Sequence, residues 1–308
     1  MTAPPKKPDA LDRGLVVAGY GRHYIVEAAD GTRLICHPRG KKSDCVVGDR
    51  VLWKPTGDSS GEGVIEKVEA RRNLLFRQDE WKSKSFAANL DQLLVLVASE
   101  PAFSESQLAR ALIAAESTSI AVKIILNKAD LPQIDVARKR LTPYSAMGYE
   151  VLEVALKGRP ESSRELIAPL LHGKTTLVLG PSGAGKSTLI NLMIPSASAQ
   201  VGEISHALQA GKHTTTTTQW YWVDAERTAG LIDSPGFQEF GLRQIGAAQL
   251  PSLMPDLREG STTCKFYNCT HLHEPGCGVI AALERGEIST SRYRIYGELF
   301  EELSSKRY

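Results

Sequence analysis

Gly180-Pro181-Ser182-Gly183-Ala184-Gly185-Lys186-Ser187 follows directly on the apolar run Thr175-Thr176-Leu177-Val178-Leu179. The run has the length and composition of a buried strand, and the glycine-rich stretch reads as a loop that opens a helix. Glycines at 180, 183 and 185 let the backbone wrap a phosphate with its amides pointing inward, and the helix behind presents its positive end. In such a loop Lys186 bridges the β- and γ-phosphates of a nucleotide, and Ser187 sets its hydroxyl on Mg²⁺. Strand before and helix after are the context this motif requires. They imply an α/β domain with a mostly parallel sheet and its ligand at the strand carboxyl ends.

Two further motifs say which nucleotide. Asn127-Lys128-Ala129-Asp130 ends a predicted strand over 120–126. A carboxylate at Asp130 accepts two hydrogen bonds from guanine, at the ring N–H and the exocyclic amine. Adenine offers neither donor in that arrangement, so an ATP-binding reading is disfavoured. Asn127 and Lys128 brace the base and the loop. Asp233-Ser234-Pro235-Gly236 ends another strand, over 229–233. Asp233 is expected to hold Mg²⁺ through a water, and the Gly236 amide to contact the γ-phosphate. Between the phosphate loop and Asp233 lies Gly211-Lys212-His213-Thr214-Thr215-Thr216-Thr217-Thr218, the expected first switch. One of Thr215, Thr216 and Thr217 would complete the Mg²⁺ shell, with Thr216 as the candidate. Phe237 stands where many GTPases have a water-orienting glutamine. Intrinsic hydrolysis is therefore expected to be slow, and His213 is the candidate for positioning the water.

The motifs run in an unusual order: base reader, then phosphate loop, then γ-phosphate sensor. A circular permutation accounts for this. It keeps the site and moves the chain ends. The chain then leaves the nucleotide domain just after Gly236, and the segment beyond that glycine is wired to the switch.

The flanks differ from the centre. Short runs over 14–18, 24–28, 33–36, 49–53 and 63–68, separated by glycine and aspartate turns, predict a five-stranded barrel of the OB type. Behind the nucleotide domain, Cys264-x4-Cys269-x-His271-x5-Cys277 supplies three thiols and one imidazole. That is a full tetrahedral set for one structural Zn²⁺, with His273 as a competing imidazole. The chain therefore divides into a disordered tail over 1–10, a barrel over 11–76, a permuted GTPase domain over 77–244 and a helical zinc-binding domain over 245–308.

The composition agrees. The 308 residues suffice for three domains, and an apolar fraction of 42 % suits globular packing. Residues 1–77 hold 14 basic and 10 acidic side chains, whereas the rest of the chain carries a slight acidic excess. The barrel is thus the better candidate for binding an RNA backbone. No apolar run is long enough to cross a bilayer and no secretory leader is read, so a cytoplasmic chain is expected. Five cysteines in such a chain argue against a disulfide framework. Cys36, Cys45 and the four tryptophans, Trp53, Trp81, Trp220 and Trp222, read as packing.

Together, the motif order, the barrel ahead of it and the Cys/His knot behind it resemble the bacterial family of small-subunit-dependent ribosomal GTPases, RsgA. The resemblance covers nearly all of the chain beyond the first ten residues. It implies a GTPase that binds the immature small ribosomal subunit and its rRNA, acts in late assembly and is stimulated by the subunit. It carries guanine contacts to Asn127, Lys128 and Asp130. Phosphate contacts run through Gly180, Pro181, Ser182, Gly183, Ala184, Gly185, Lys186, Ser187 and Thr188, and zinc goes to Cys264, Cys269, His271 and Cys277. One segment departs from the family: Ala155-Leu156-Lys157 stands where a Ser-Ala-Lys-like loop makes the second base contact. Neither DNA nor membrane is an expected partner, and a monomer is the default. Phe237 keeps one alternative open, an RNA-binding assembly protein that holds GTP as a structural ligand.

Overall fold

The computed structural model describes residues 11–40, 44–57, 61–78, 83–197, 218–234 and 242–305. The tail over 1–10, Trp81, His213, Thr215, Thr216, Thr217, Gly236 and Phe237 lie outside the described residues.

The five barrel strands are β1 (Asp12–Tyr20), β2 (His23–Ala28), β3 (Arg33–Pro38), β4 (Arg50–Pro55) and β5 (Gly63–Val68). Their order is β1-β2-β3-β5-β4, and β4 pairs back onto β1, so the barrel closes. Only β3 and β5 run parallel. The period of two sorts the side chains. On β2, Tyr24 and Val26 face the interior with Trp53 and Cys36, while Ile25 faces outward into the main core. Closure leaves no exposed edge among these five strands.

The next element is not foreseen in the sequence. Strands β6 (Leu74–Gln78) and β7 (Ser83–Ala88) form a separate antiparallel hairpin across the expected barrel boundary at residue 76. Leu-Leu-Phe-Arg-Gln lacks the alternation that marks a half-buried strand, which is why periodicity passes over it.

The nucleotide domain is a sheet covered on both faces. Strands β8 (Gln92–Ala98), β9 (Ala121–Asn127), β10 (Glu150–Glu153), β11 (Thr175–Leu179), β12 (Gln219–Trp222) and β13 (Gly230–Asp233) lie in the order β10-β9-β8-β11-β13-β12. The first five in that order are parallel, and β12 is antiparallel to β13. Every residue of β8 is buried, as expected of a parallel strand with two covered faces. Leu93, Val95 and Val97 point to the face of helices α1 (Glu105–Ser117) and α2 (Ile134–Ala146). Leu94 and Leu96 point to that of α3 (Pro160–Leu171) and α4 (Lys186–Met193). The Ser104 hydroxyl caps α1 by accepting from the Gln107 amide, as the Ser-x-x-Gln spacing predicts.

The barrel is continuous with this sheet. Ala18 of β1 pairs with Gln219 of β12. The C-terminal region attaches elsewhere. A 3₁₀ turn (Ala247–Leu253) and helices α5 (Pro255–Ser261), α6 (Gly278–Glu284) and α7 (Thr290–Ser304) share one core with α1 and α2. Arg292, almost wholly buried on α7, donates to Asp256 of α5 at 2.7 and 3.0 Å and lies over the Tyr144 ring of α2. Among the described residues, no helix is long and apolar enough to cross a membrane.

Candidate active site and metal centre

Three parallel strands deliver the three motifs to one end of the sheet. β9 ends at Asn127, β11 leads into the glycine-rich loop, and β13 ends at Asp233. Between them opens a cavity of about 630 Å³. Its lining holds Asn127, Lys128 and Asp130 on one side and Ser182, Gly183, Gly185, Lys186, Ser187 and Thr188 on the other, with Asp233 beside them. Residues about a hundred positions apart in sequence thus share one wall.

Gly180, Pro181 and Ala184 stand behind that lining. The Lys186 ammonium donates to the carbonyls of Gly180 and Pro181, at 2.6 and 3.2 Å. The buried Asn127 side chain is fully engaged as a brace. Its amide donates to the Ala184 carbonyl at 2.8 Å, and its carbonyl accepts from the Leu156 amide at 3.1 Å. Asn127 therefore locks the phosphate loop to the segment after β10. Gly185 takes φ 108°, where a Cβ would also run into the Asn127 amide, so both the turn and the brace require glycine.

The charges of the site are perturbed by burial. Burial holds the Lys186 ammonium below its ordinary value, against the pull of Asp233. Burial pushes Asp233 up to about 6, opposed by Lys186 and by a hydrogen bond from the Ser234 backbone. Asp233 Oδ1 is buried with no hydrogen-bond partner among the described residues. A buried carboxylate oxygen without a donor, facing a cavity that also holds the Ser187 hydroxyl, is a donor set that suits a hard divalent cation.

Three contributors were not among the site residues read from the sequence. Leu156 and Lys157 line the cavity beside Asp130, although their segment departs from the family pattern. Gly158 lies against the Asp130 carboxylate, and a Cβ there would collide with Asp130 Oδ2. The glycine leaves room for that carboxylate. A lone glycine between Lys157 and Arg159 carries no signal of this in sequence.

The second centre lies between α5 and α6. Cys264, Cys269, His271 and Cys277 bring their ligand atoms within 4.8 Å of one another. Cys264 Sγ lies 3.3 Å from His271 Nδ1 and 3.8 Å from Cys277 Sγ. Bonds of about 2.3 Å in a tetrahedron put neighbouring sulfurs about 3.8 Å apart, so the spacing fits a four-coordinate ion. The competing imidazole of His273 is not in the cluster. Backbone amides of Gly278 and Ile280 point at the sulfurs of Cys264 and Cys277, at 3.3 and 3.5 Å. These contacts orient the ligands. The loop is tied to α7 by Tyr293 and Tyr296, whose hydroxyls donate to the carbonyls of His271 and Thr270, each at 2.7 Å. Cys36 and Cys45 lie far from this set in sequence and are buried without disulfides.

The sequence model of the RsgA GTPase family matches residues 68–243. A protein of Variovorax paradoxus named small ribosomal subunit biogenesis GTPase RsgA is 61 % identical over 303 residues, covering 97 % of this chain and 94 % of the relative. A protein of the same name from Burkholderia pseudomallei is 50 % identical over 309 residues, covering 98 % and 97 %. The crystal structure of YjeQ from Thermotoga maritima superimposes with a TM-score of 0.72 at 31 % identity, covering 96 % of this chain and 100 % of that one. That of YloQ, described as a circularly permuted GTPase, gives 0.69 at 26 % identity over 99 % and 100 %. The agreement spans barrel, permuted nucleotide domain and Cys/His module alike, and the chain belongs to the RsgA GTPase family.

Proposed function

We propose that this chain hydrolyses GTP to GDP and phosphate on the small ribosomal subunit, during late maturation of that subunit, and that the subunit stimulates the reaction. The observation that carries the reading is the convergence of three motifs, out of their usual order, on one cavity. The relatives' shared name supplies the subunit.

In this reading Asp130 accepts from the guanine ring N–H and amine, and Gly158 leaves that carboxylate its space. Asn127 holds the base-reading loop to the phosphate loop, and Lys128 flanks the base. The amides of residues 180–188 cradle the phosphates, with Lys186 turning from the loop carbonyls to the β,γ bridge. Ser187, Thr216 and Asp233 are the groups that would hold Mg²⁺, which when bound screens the charge that develops on the phosphates. The Gly236 amide senses the γ-phosphate, and His213 positions the attacking water. Phe237 cannot do so, hence the need for the subunit. The Cys264, Cys269, His271 and Cys277 centre takes one structural Zn²⁺, because four protein ligands leave no open position for chemistry. A three-part division into barrel, GTPase domain and zinc-binding module, with the first boundary outside the β6–β7 hairpin, contact of the basic barrel with rRNA, a monomeric state and a cytoplasmic location complete the reading. It includes neither DNA nor membrane as a partner.

The test is GTP turnover by the full chain alone, with small subunits and with large subunits. A large increase with small subunits only is expected. No increase with either would replace the reading with the alternative, an RNA-binding assembly protein that keeps GTP as a structural ligand.

A further inference from the structure

We propose that the loop Lys265-Phe266-Tyr267-Asn268 of the metal centre is a stacking platform for an unpaired RNA base, with Tyr267 as the ring that receives it. The proposal rests on the small-subunit reading above and names the contact by which this module meets RNA.

The loop stands between two ligands of the centre, Cys264 and Cys269, and all four of its residues are exposed. Phe266 is 41 % exposed and Tyr267 is fully exposed. Among the described residues no other Phe, Tyr or Trp side chain is exposed, and these two are adjacent. A single exposed apolar side chain needs no explanation. Two neighbouring exposed rings on a short, clamped loop do.

The clamp is double. The Lys265 amide donates to the Gly276 carbonyl at 3.0 Å, and the Cys269 amide to the Phe266 carbonyl at 3.3 Å. With both ends also fixed at the metal centre, Tyr267 is presented rather than left to fold back. A backbone already held in place lowers the entropy lost when a ligand stacks on the ring it carries.

The surroundings favour nucleic acid over protein. Lys265 Nζ lies 5.5 Å from the centroid of the Phe266 ring, so a cation sits beside the aromatic pair, within reach of a phosphate. No carboxylate occurs between Glu259 and Glu274 in sequence. Glu274 is spent inside the loop, accepting from the Thr270 amide at 2.8 Å, the Thr270 hydroxyl and the Leu272 amide at 3.3 Å. The Glu274 carboxylate keeps its charge but directs it at donors of its own segment, and before Tyr267 no carboxylate lies nearer in sequence than Glu259. The other exposed neighbours, Thr262, Thr263 and Asn268, are polar, whereas a protein-binding anchor is ordinarily set among apolar contacts that exclude water. Cation, ring and amide in one exposed run are the chemistry that grips a phosphate, stacks a base and reads its edge.

The experiment uses the full, metal-loaded chain with a non-hydrolysable GTP analogue and purified small subunits. Affinity is measured for the wild type, Tyr267→Ala and Tyr267→Phe. Ultraviolet cross-linking then identifies what the peptide containing Tyr267 touches. Metal content, thermal midpoint and basal GTP turnover of the variants should match the wild type. Tyr267→Ala should weaken binding roughly tenfold or more, the size of a lost stack. Tyr267→Phe should stay within about twofold, since the ring is kept, and the cross-link should be to a nucleotide. Wild-type binding with an unaffected Tyr267→Ala would overturn the platform while leaving the small-subunit reading intact. A cross-link to a ribosomal protein, or equal losses in both variants, would also overturn it. Failure of the wild type to bind small subunits would overturn both.

Discussion

The barrel and the C-terminal module both flank the nucleotide domain and both reach its main core, yet they differ in the polar and backbone contacts that join them to it. The barrel meets an edge of the sheet. Ala18 pairs with Gln219, and the buried Glu27 of β2 accepts from Trp222 Nε1 at 2.7 Å and from Arg33 Nε at 2.8 Å, with Arg227 at 3.5 Å. The partners from the nucleotide domain, Trp222 and Arg227, belong to the β12–β13 hairpin, which begins just after the threonine run and ends at Asp233. The C-terminal module has no strand pairing with the sheet among the described residues; it packs helix faces against α1 and α2 in the core that Val17, Ala18 and Ile25 of the barrel also reach, and adds the buried Arg292–Asp256 pair. Chain order and mechanical connection are therefore separate matters. Chain order wires Gly236 to the C-terminal module, whereas the folded contacts tie the segment between the two proposed switches to the barrel.

The contrast is tested most severely at the metal. Cys269→Ser, or removal of the ion by a chelator, should unfold the 264–277 loop and loosen α7. The thermal midpoint should fall by more than in any other variant, because metal binding in such small modules contributes on the order of 10 kcal/mol of folding free energy. Metal analysis with calorimetry checks this, and an unchanged midpoint in the metal-free chain would count against a structural ion. Next is Asp256→Ala, which strands the Arg292 charge in the core. A loss of about 3–5 kcal/mol is expected in denaturant unfolding, and Arg292→Met in the same background should recover part of it.

Asp233 gives an effect of opposite sign. Its carboxyl is pushed up to about 6 by burial, above its ordinary value of 3.8, so the folded chain holds that proton to higher pH than the unfolded chain does. The cost of ionising it is absent below the unfolded value, grows as pH rises toward about 6 and is complete above that. Asp233→Asn should therefore stabilise the nucleotide-free chain by about 1–3 kcal/mol at pH 7 and by little at pH 4. It should also lose Mg²⁺-dependent GTP binding. Paired thermal scans at the two pH values measure the first effect.

The smallest effect isolates one joint from the other. Glu27→Ala leaves Trp222 Nε1 and the Arg33 guanidinium without their acceptor, at about 1–3 kcal/mol. Amide exchange should rise over 14–18 and 219–222 and stay slow over 290–299. Equal acceleration in both regions would mean that the joints are not independent.

Much of this architecture was legible because its signals are local. The phosphate loop, the Asn127–Asp130 motif and the Cys/His spacing each fit within fourteen residues, where chemistry dictates spacing. The alternating strands gave the barrel for the same reason. Long-range juxtaposition was not legible. Glu27 carries no sign of burial in the sequence, and its burial comes with the partners Arg33 and Trp222. Trp222 reads as packing, and its indole N–H turns out to be a donor in the joint. Gly158 gains its meaning from Asp130, brought to it by the turn after β10. The β6–β7 hairpin lacks alternation, so no period announced it.

The most direct test of the account is the nucleotide preference of the cavity. Affinities for GTP and ATP should be measured by competition against a fluorescent guanine nucleotide, for the wild type and Asp130→Asn. The account predicts that the wild type prefers GTP by roughly a thousandfold or more and that Asp130→Asn removes most of that preference by weakening GTP. An Asp130→Asn chain that binds GTP as tightly and as selectively as the wild type would contradict the assignment of this cavity as a guanine-nucleotide site.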